Sequence, residues 1–186
     1  KALTVSTVAA TVKQYGDFVP LTDMLLLTAI DNNLVQALDL LGAQAGATLD
    51  TVTREILMGG TSVQYAEGQV TSRATLTAEH KLTVKAVRLA ARFLKKQNAP
   101  KIDGGYVAII HPDIAYDIQD DPDWKEWNKY TTSDKMFQGE IGKIANVRFV
   151  ETTEAKIFAK AGASNQDVYA TLVLGANAYG TTNIEG

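Results

Sequence analysis

Between Asn32 and Met58, apolar residues recur at Leu34, Leu38, Leu41, Ala45, Leu49, Val52 and Ile56. The steps between them are three or four residues throughout, so all seven fall on one face of a 3.6-residue helix. The pattern predicts one helix of about 40 Å at 1.5 Å per residue, as long as a small domain is wide. Such a rod needs a cover. Burying its stripe is worth ~1.5–3 kcal/mol per side chain. Gly42 and Gly46 share the face of Leu38 and Leu49, and each costs roughly 1 kcal/mol against Ala in a helix interior. With Ala43, Ala45 and Ala47 beside them, they read as a place where another backbone packs closely. Asp31 is the expected N-cap, and Gly59 and Gly60 the stop.

Ahead of the rod, Leu3–Val12 alternates Thr, Val and Ala, as a long, weakly amphipathic strand does. Tyr15–Val19 is expected to continue it past Gly16. Neither face is clearly the apolar one, so this strand needs a neighbour, in this chain or in another copy. Thr22 is the expected N-cap of a short helix over Asp23–Ala29. After the rod, Thr61–Lys81 is polar and aperiodic, a long loop or loose hairpin with possible strands at Gln64–Ala66 and Gln69–Ala74. A second helix is predicted over Thr83–Asn98, burying Val84, Val87, Ala91 and Leu94. Lys81, Lys85, Arg88, Arg92, Lys95 and Lys96 fall on one arc of about 100° of its wheel, with no acid between them. That arc is either a solvated face or a contact for an acidic surface. Nucleic acid is disfavoured, because no stacking aromatics are interleaved.

Pro100–Gly105 reads as a turn. Tyr106–Ile110 is a continuous apolar run, the signature of a strand covered on both faces. His111 closes it, Pro112 suits a first helical position, and Ile114–Ile118 and Trp124–Tyr130 are short helices separated at Asp120-Asp121-Pro122-Asp123. This stretch is acidic (Asp113, Asp117, Asp120, Asp121, Asp123, Glu126, Asp134) and suits the basic arc. Trp124 and Trp127, three apart, are packing residues. Met136–Gly142 is a connector, Ala145–Glu151 a strand, Lys156–Gln166 a polar loop and Val168–Leu174 a final buried strand. From Thr83 onward the order is that of a sheet with helices on it. The first strand and the rod form a separate unit, and the fold class is α+β.

The chain has no cysteine, which excludes disulfides and thiolate chemistry. It has two histidines, His80 and His111, too few for a histidine-rich metal centre. A net charge of −3 gives no overall pull toward nucleic acid or membrane. No apolar run reaches bilayer length; Met24–Ile30 is too short. Gly139–Lys143 is not a phosphate loop, having two residues between its glycines where the motif needs four and Ile144 in place of Ser or Thr. Neither a dinucleotide fingerprint nor a nucleophile elbow is present. The acids near Asp120 lack calcium-loop spacing. No catalytic, cofactor-binding or metal residues are assigned. His111 beside Asp113 is the one base–carboxylate pairing available, and a strand-ending His before Pro is a structural cap.

Taken in order, Phe18-Val19-Pro20-Leu21-Thr22-Asp23, Leu34–Leu41, Ile110-His111-Pro112-Asp113 with Tyr116-Asp117 and Asp121-Pro122, and Gly139–Ile144 running into Val147–Thr152 resemble the major capsid proteins of tailed bacteriophages, in particular a podovirus-type branch. The resemblance covers about Thr4 to Gly180. It implies the tailed-phage capsid fold, shared with encapsulin nanocompartments. Residues 1–82 would be a peripheral domain portion holding the returning strand of an extended loop, a spine helix (32–58) and the long loop. Residues 83–175 would be the axial domain, and 176–186 a return toward the peripheral domain. It further implies a structural subunit that forms hexamers and pentamers of an icosahedral shell around double-stranded DNA. The partners would be itself, scaffolding, portal and decoration proteins, and DNA held without sequence specificity, with no membrane. The location would be the virion, assembled in host cytoplasm. Against the family, the chain lacks an N-terminal arm, most of the extended loop and the closing peripheral strand, so it reads as a piece cut at both ends. No cross-linking residues are identifiable. Residues assigned to subunit contact are Lys85, Arg88, Arg92, Lys95, Lys96, Asp120, Asp121 and Asp123. The alternatives are a cargo-compartment shell of the same fold, and an enzyme domain using His111 and Asp113.

Overall fold

A computed structural model describes residues 7, 9, 11–28, 32–66, 70–128 and 140–181, with backbone alone for Leu26, Trp127, Asn128, Glu140 and Ile141. Contacts divide the chain into two compact units, Lys1–Val52 with Gly180–Gly186, and Thr53–Tyr179.

In the first unit, α1 (Asp23–Thr28) starts as expected, the Thr22 hydroxyl accepting the Leu25 N–H at 3.3 Å. The predicted rod is α2 (Asn33–Met58), which belongs to this unit as far as Val52. Asp31, its expected cap, lies outside the described residues, as does most of the Leu3–Val12 strand. The continuation over Tyr15–Val19 does not form: residues 11–22 hold no regular element. No strand pairs with them among the described residues, and the Asp17 carboxylate takes the Phe18 N–H at 2.8 Å, the local bonding that competes with a ladder. No residue of α2 is buried. Leu34, Leu38 and Leu49 are 54%, 60% and 68% exposed.

The second unit carries the core. After Met58, Gly59 donates to the carbonyls of Glu55 and Ile56 and ends α2. The two strands expected within Thr61–Lys81 are absent among the described residues, which include 3₁₀ conformation at Ala66 and a 3₁₀ turn at Arg73–Thr75. Side chains hold this loop: Gln64 donates to the Ala86 carbonyl at 3.0 Å and His80 Nδ1 accepts the Thr77 N–H at 2.9 Å. Helix α3 (Val84–Lys96) follows, with Thr83 as N-cap accepting from Ala86 N–H. Then come β1 (Tyr106–Ile110), α4 (Pro112–Asp120), α5 (Pro122–Asn128), β2 (Glu140–Ile144), β3 (Val147–Glu151), β4 (Ile157–Phe158), β5 (Val168–Tyr169) and β6 (Leu172–Leu174).

Three strand assignments change, the first being β4, which forms inside the Lys156–Gln166 stretch expected to be a loop. Glu140–Ile144 is no connector but an edge strand, pairing antiparallel with β3 through a bulge near Ile141. Its two polar residues and one glycine mask the pattern, and the hairpin turns at Ala145 and Asn146, both at positive φ (53° and 66°), as a two-residue primed turn requires. Val168–Leu174 is not one strand: β5 pairs with β4, and β6 joins the main sheet of order β2-β3-β1-β6. β1 runs parallel to β3 and antiparallel to β6, so it is interior to the sheet; Tyr106, Ala108 and Ile110 are buried, while Val107 and Ile109 on the other face are only half-buried.

One face of the sheet (Tyr106, Ala108, Ile110, Ile144, Val147, Phe149) packs on Val84, Val87 and Ala91 of α3, Ala115 and Ile118 of α4, and Trp124 of α5. The Trp124 and Phe149 rings meet edge to face at 5.3 Å. Gly105 lets two backbones close up: a Cβ there would stand 2.6 Å from the Asn146 carbonyl, the group that accepts the Tyr106 N–H at 2.8 Å. Gly105→Ala is therefore expected to cost about 1–3 kcal/mol by overpacking, read as a lower melting temperature. Gly104→Ala, which meets nothing within 4 Å, would suffer only from its φ of +79°.

Candidate functional site

Because Val84, Val87 and Ala91 face the core, the α3 periodicity turns Lys85, Arg88, Arg92, Lys95 and Lys96 outward, and all five are exposed. Among the described residues none of them has an ion-pair partner. Lys81, on the same arc just before the helix, is engaged: its Nζ lies 2.8 Å from Asp117. That hydrogen bond, reinforced by the Asp117 charge, raises the Lys81 pKa. Flanking the arc are two residues that the buried stripe leaves out, Leu89 and Phe93, 37% and 45% exposed.

The acidic stretch is organised in a matching way. On α4, Asp113, Asp117 and Asp120 share an arc of about 100° with Tyr116, which is 77% exposed. Asp120 contacts Lys125 at 2.6 Å, and the hydrogen bond from Lys125 lowers its pKa. Asp121 has a different task. One carboxylate oxygen accepts the Val84 N–H at 3.0 Å and the other the Asp123 N–H at 2.9 Å, so a single side chain caps the first turns of both α3 and α5.

An open groove of about 770 Å³ runs between these charged elements. Arg88, Arg92 and Lys95 line it from α3, Asp123 and Glu126 from α5, and Val84, Ala91 and Ile144 add apolar surface. The structure thus brings the basic arc and part of the acidic stretch to one groove, yet among the described residues no ion pair within 4.0 Å joins its cations to its acids.

His111 is the N-cap of α4: its Nδ1 accepts the Asp113 N–H at 3.2 Å, with Pro112 at the first helical position. The Asp113 carboxylate also lies 3.2 Å from that nitrogen and hydrogen-bonds Tyr169, which raises the phenol pKa together with burial. The His111 and Tyr169 rings are 5.0 Å apart. This is a joint between β1, α4 and β5, with the imidazole lone pair committed to the backbone. No cluster among the described residues could hold a metal ion. No helix of the described residues is long and apolar enough to cross a membrane.

On α2, a Cβ added at Gly42 or Gly46 would meet nothing within 4 Å, so the close packing expected there is not made within the described chain. One cluster escaped the sequence reading. Lys156 pairs with Glu55 at 2.7 Å, Arg54 hydrogen-bonds the Glu154 carbonyl, and Arg73 stacks 3.7 Å above the Phe158 ring. The Lys156 hydrogen bond lowers the Glu55 pKa against a smaller opposing effect of burial. The Glu55–Lys156 and Arg54–Glu154 partners are about a hundred residues apart, which no local pattern signals. Leu89, Phe93 and Tyr116 were within reach, since each sits off its helix's buried stripe by wheel angle.

Comparison with known proteins adds three findings. A family model described as phage capsid protein matches residues 4–185. The capsid structure of Ralstonia phage GP4 superposes with a TM-score of 0.63 at 18% identity, over 82% of this chain and 54% of that one. The chain thus spans about half the length of that protein, and the likeness is one of fold. A search among curated proteins matched none.

Proposed function

The chain belongs to the phage capsid protein family, and from that premise we propose that it acts as the major capsid subunit of a tailed bacteriophage, a structural protein that binds copies of itself. The shell would be icosahedral, made of hexamers and pentamers, enclosing double-stranded DNA without reading its sequence. Scaffolding, portal and decoration proteins are its proposed further partners, assembly in the host cytoplasm its route and the virion its location. Residues 1–82 form the peripheral portion in this reading, 83–175 the axial domain and 176–186 the return.

The observation that carries the reading is the uncovered rod. Helix α2 is 26 residues long and has no buried residue, and Leu34, Leu38, Leu49 and Ile56 of its stripe are exposed, whereas a soluble monomer rarely leaves a large contiguous apolar patch open. Other copies are its natural cover, with Gly42 and Gly46 admitting a neighbour's backbone. Electron microscopy and light scattering of the full-length product test the idea. Closed shells are expected, and a strictly monomeric protein under assembly conditions overturns it.

A sharper version replaces Leu34 and Leu38 by Asp. Both side chains are exposed, so the subunit's own melting is expected to move by no more than about 0.5 kcal/mol per site, while assembly is lost. A large loss of subunit stability would mean that the stripe is already covered within one chain.

A further inference from the structure

We propose that the basic face of α3 docks head to tail on the acidic α4–α5 face of a second copy of this chain. The inference rests on the shell-subunit reading and names a contact for it. Five exposed cations stand on one side of α3, and among the described residues none of them is ion-paired. Asp120, Asp123 and Glu126 stand exposed on the other element. Among the described residues the basic arc meets the acidic stretch at Lys81–Asp117, and Asp120 has a surface pair with Lys125. Across the groove, Arg88, Arg92 and Lys95 face Asp123 and Glu126 without closing, so both sets remain open to a partner of opposite sign.

Apolar surface accompanies each charge set. Leu89 and Phe93, one helical turn apart, border the cations, and Tyr116 borders the acids. A nucleic-acid strand would meet the acidic groove wall as readily as the basic one, and phosphates would be repelled there. One neighbouring copy offers its acids to the cations, and the copy on the other side offers its cations to the acids. Because the two faces lie on different elements, the contact is heterologous, the kind that closes into rings. Exposed pairs are individually weak, so the contact sets register more than affinity.

The test uses the full-length protein and two charge reversals, Arg88→Glu with Arg92→Glu, and Asp120→Lys with Glu126→Lys. Each pair is expected to cut shell yield by about tenfold or more with unchanged melting, and the chain carrying all four is expected to recover it. Shells at wild-type yield from either reversed variant overturn the contact. So does failure of the four-substitution chain to recover, and so do shells of the α3 variant that form normally but hold no DNA, which would assign the arc to nucleic acid. If the unsubstituted protein forms no shells, the shell reading itself fails, and no variant is needed to see it. Should a reversed variant melt early, the absence of cysteine supplies a second route. Arg92→Cys and Glu126→Cys chains, mixed and mildly oxidised, should give a mixed disulfide dimer, and its absence overturns the contact.

Discussion

Asp121→Ala is expected to destabilise the protein by about 2 kcal/mol and by up to ~4, because one substitution removes the cap of α5 and a second bond to the first N–H of α3, which Thr83 caps one turn further on, each worth roughly 0.5–2 kcal/mol. The carboxylate bonds at 3.0 Å to Val84 and 2.9 Å to Asp123, and those N–H groups have no intrahelical acceptor. Val84 is itself 4% exposed, so water cannot readily replace the lost partner there. Asp121→Asn keeps one carbonyl oxygen and should lie between Ala and wild type. Denaturant midpoints check this, with Asp120→Ala as the control. Asp120 is exposed and paired only at the surface, so its loss should leave the midpoint close to that of the wild type. If the two alanine variants melt alike, Asp121 is not a double cap.

That contrast also shows what composition alone hides. In the sequence, Asp120, Asp121 and Asp123 are equivalent members of an acidic run, and all three read as candidates for subunit contact. The structure commits Asp121 inside the subunit, since Pro122 starts α5 and places Asp121 at its N-cap, beside the start of α3. Periodic features were legible: the α2 stripe, the α3 face and the β1 run all formed within a residue or two of their expected bounds. His111 closing β1 and capping α4 was legible too, because Pro112 fixes the geometry after it. What failed was short and non-local. β2 hides behind Glu140, Gly142 and Lys143, and is a strand only because β3 turns back on it through Ala145-Asn146. The break between β5 and β6 is set by two different partner strands, which a run of Val, Tyr and Leu does not reveal. Of the site, the charges were legible and their pairing was not. Lys81–Asp117 joins residues thirty-six positions apart.

The second large effect is expected from Phe149→Ala, at about 3–5 kcal/mol for a fully buried aromatic. Phe149 is 0% exposed, on the strand between β1 and β2, and its ring supports Trp124 edge to face, a pairing worth ~0.5–1.5 kcal/mol of that total. Domains are stable by only about 5–15 kcal/mol, so the variant loses a large fraction of its margin, and Phe149→Leu, which leaves a smaller cavity, should lose less. Trp124 is the buried anchor of α5, and α5 carries Asp123 and Glu126 into the groove. Phe149→Ala should therefore reduce assembly too, but through early melting, in proportion to the fraction unfolded and recoverable on cooling. The charge-reversed variants should fail to assemble while fully folded. Measuring melting and shell yield on the same samples separates the two causes. A Phe149→Ala protein that melts like wild type would show that the sheet face is not the core on which the charged helices rest.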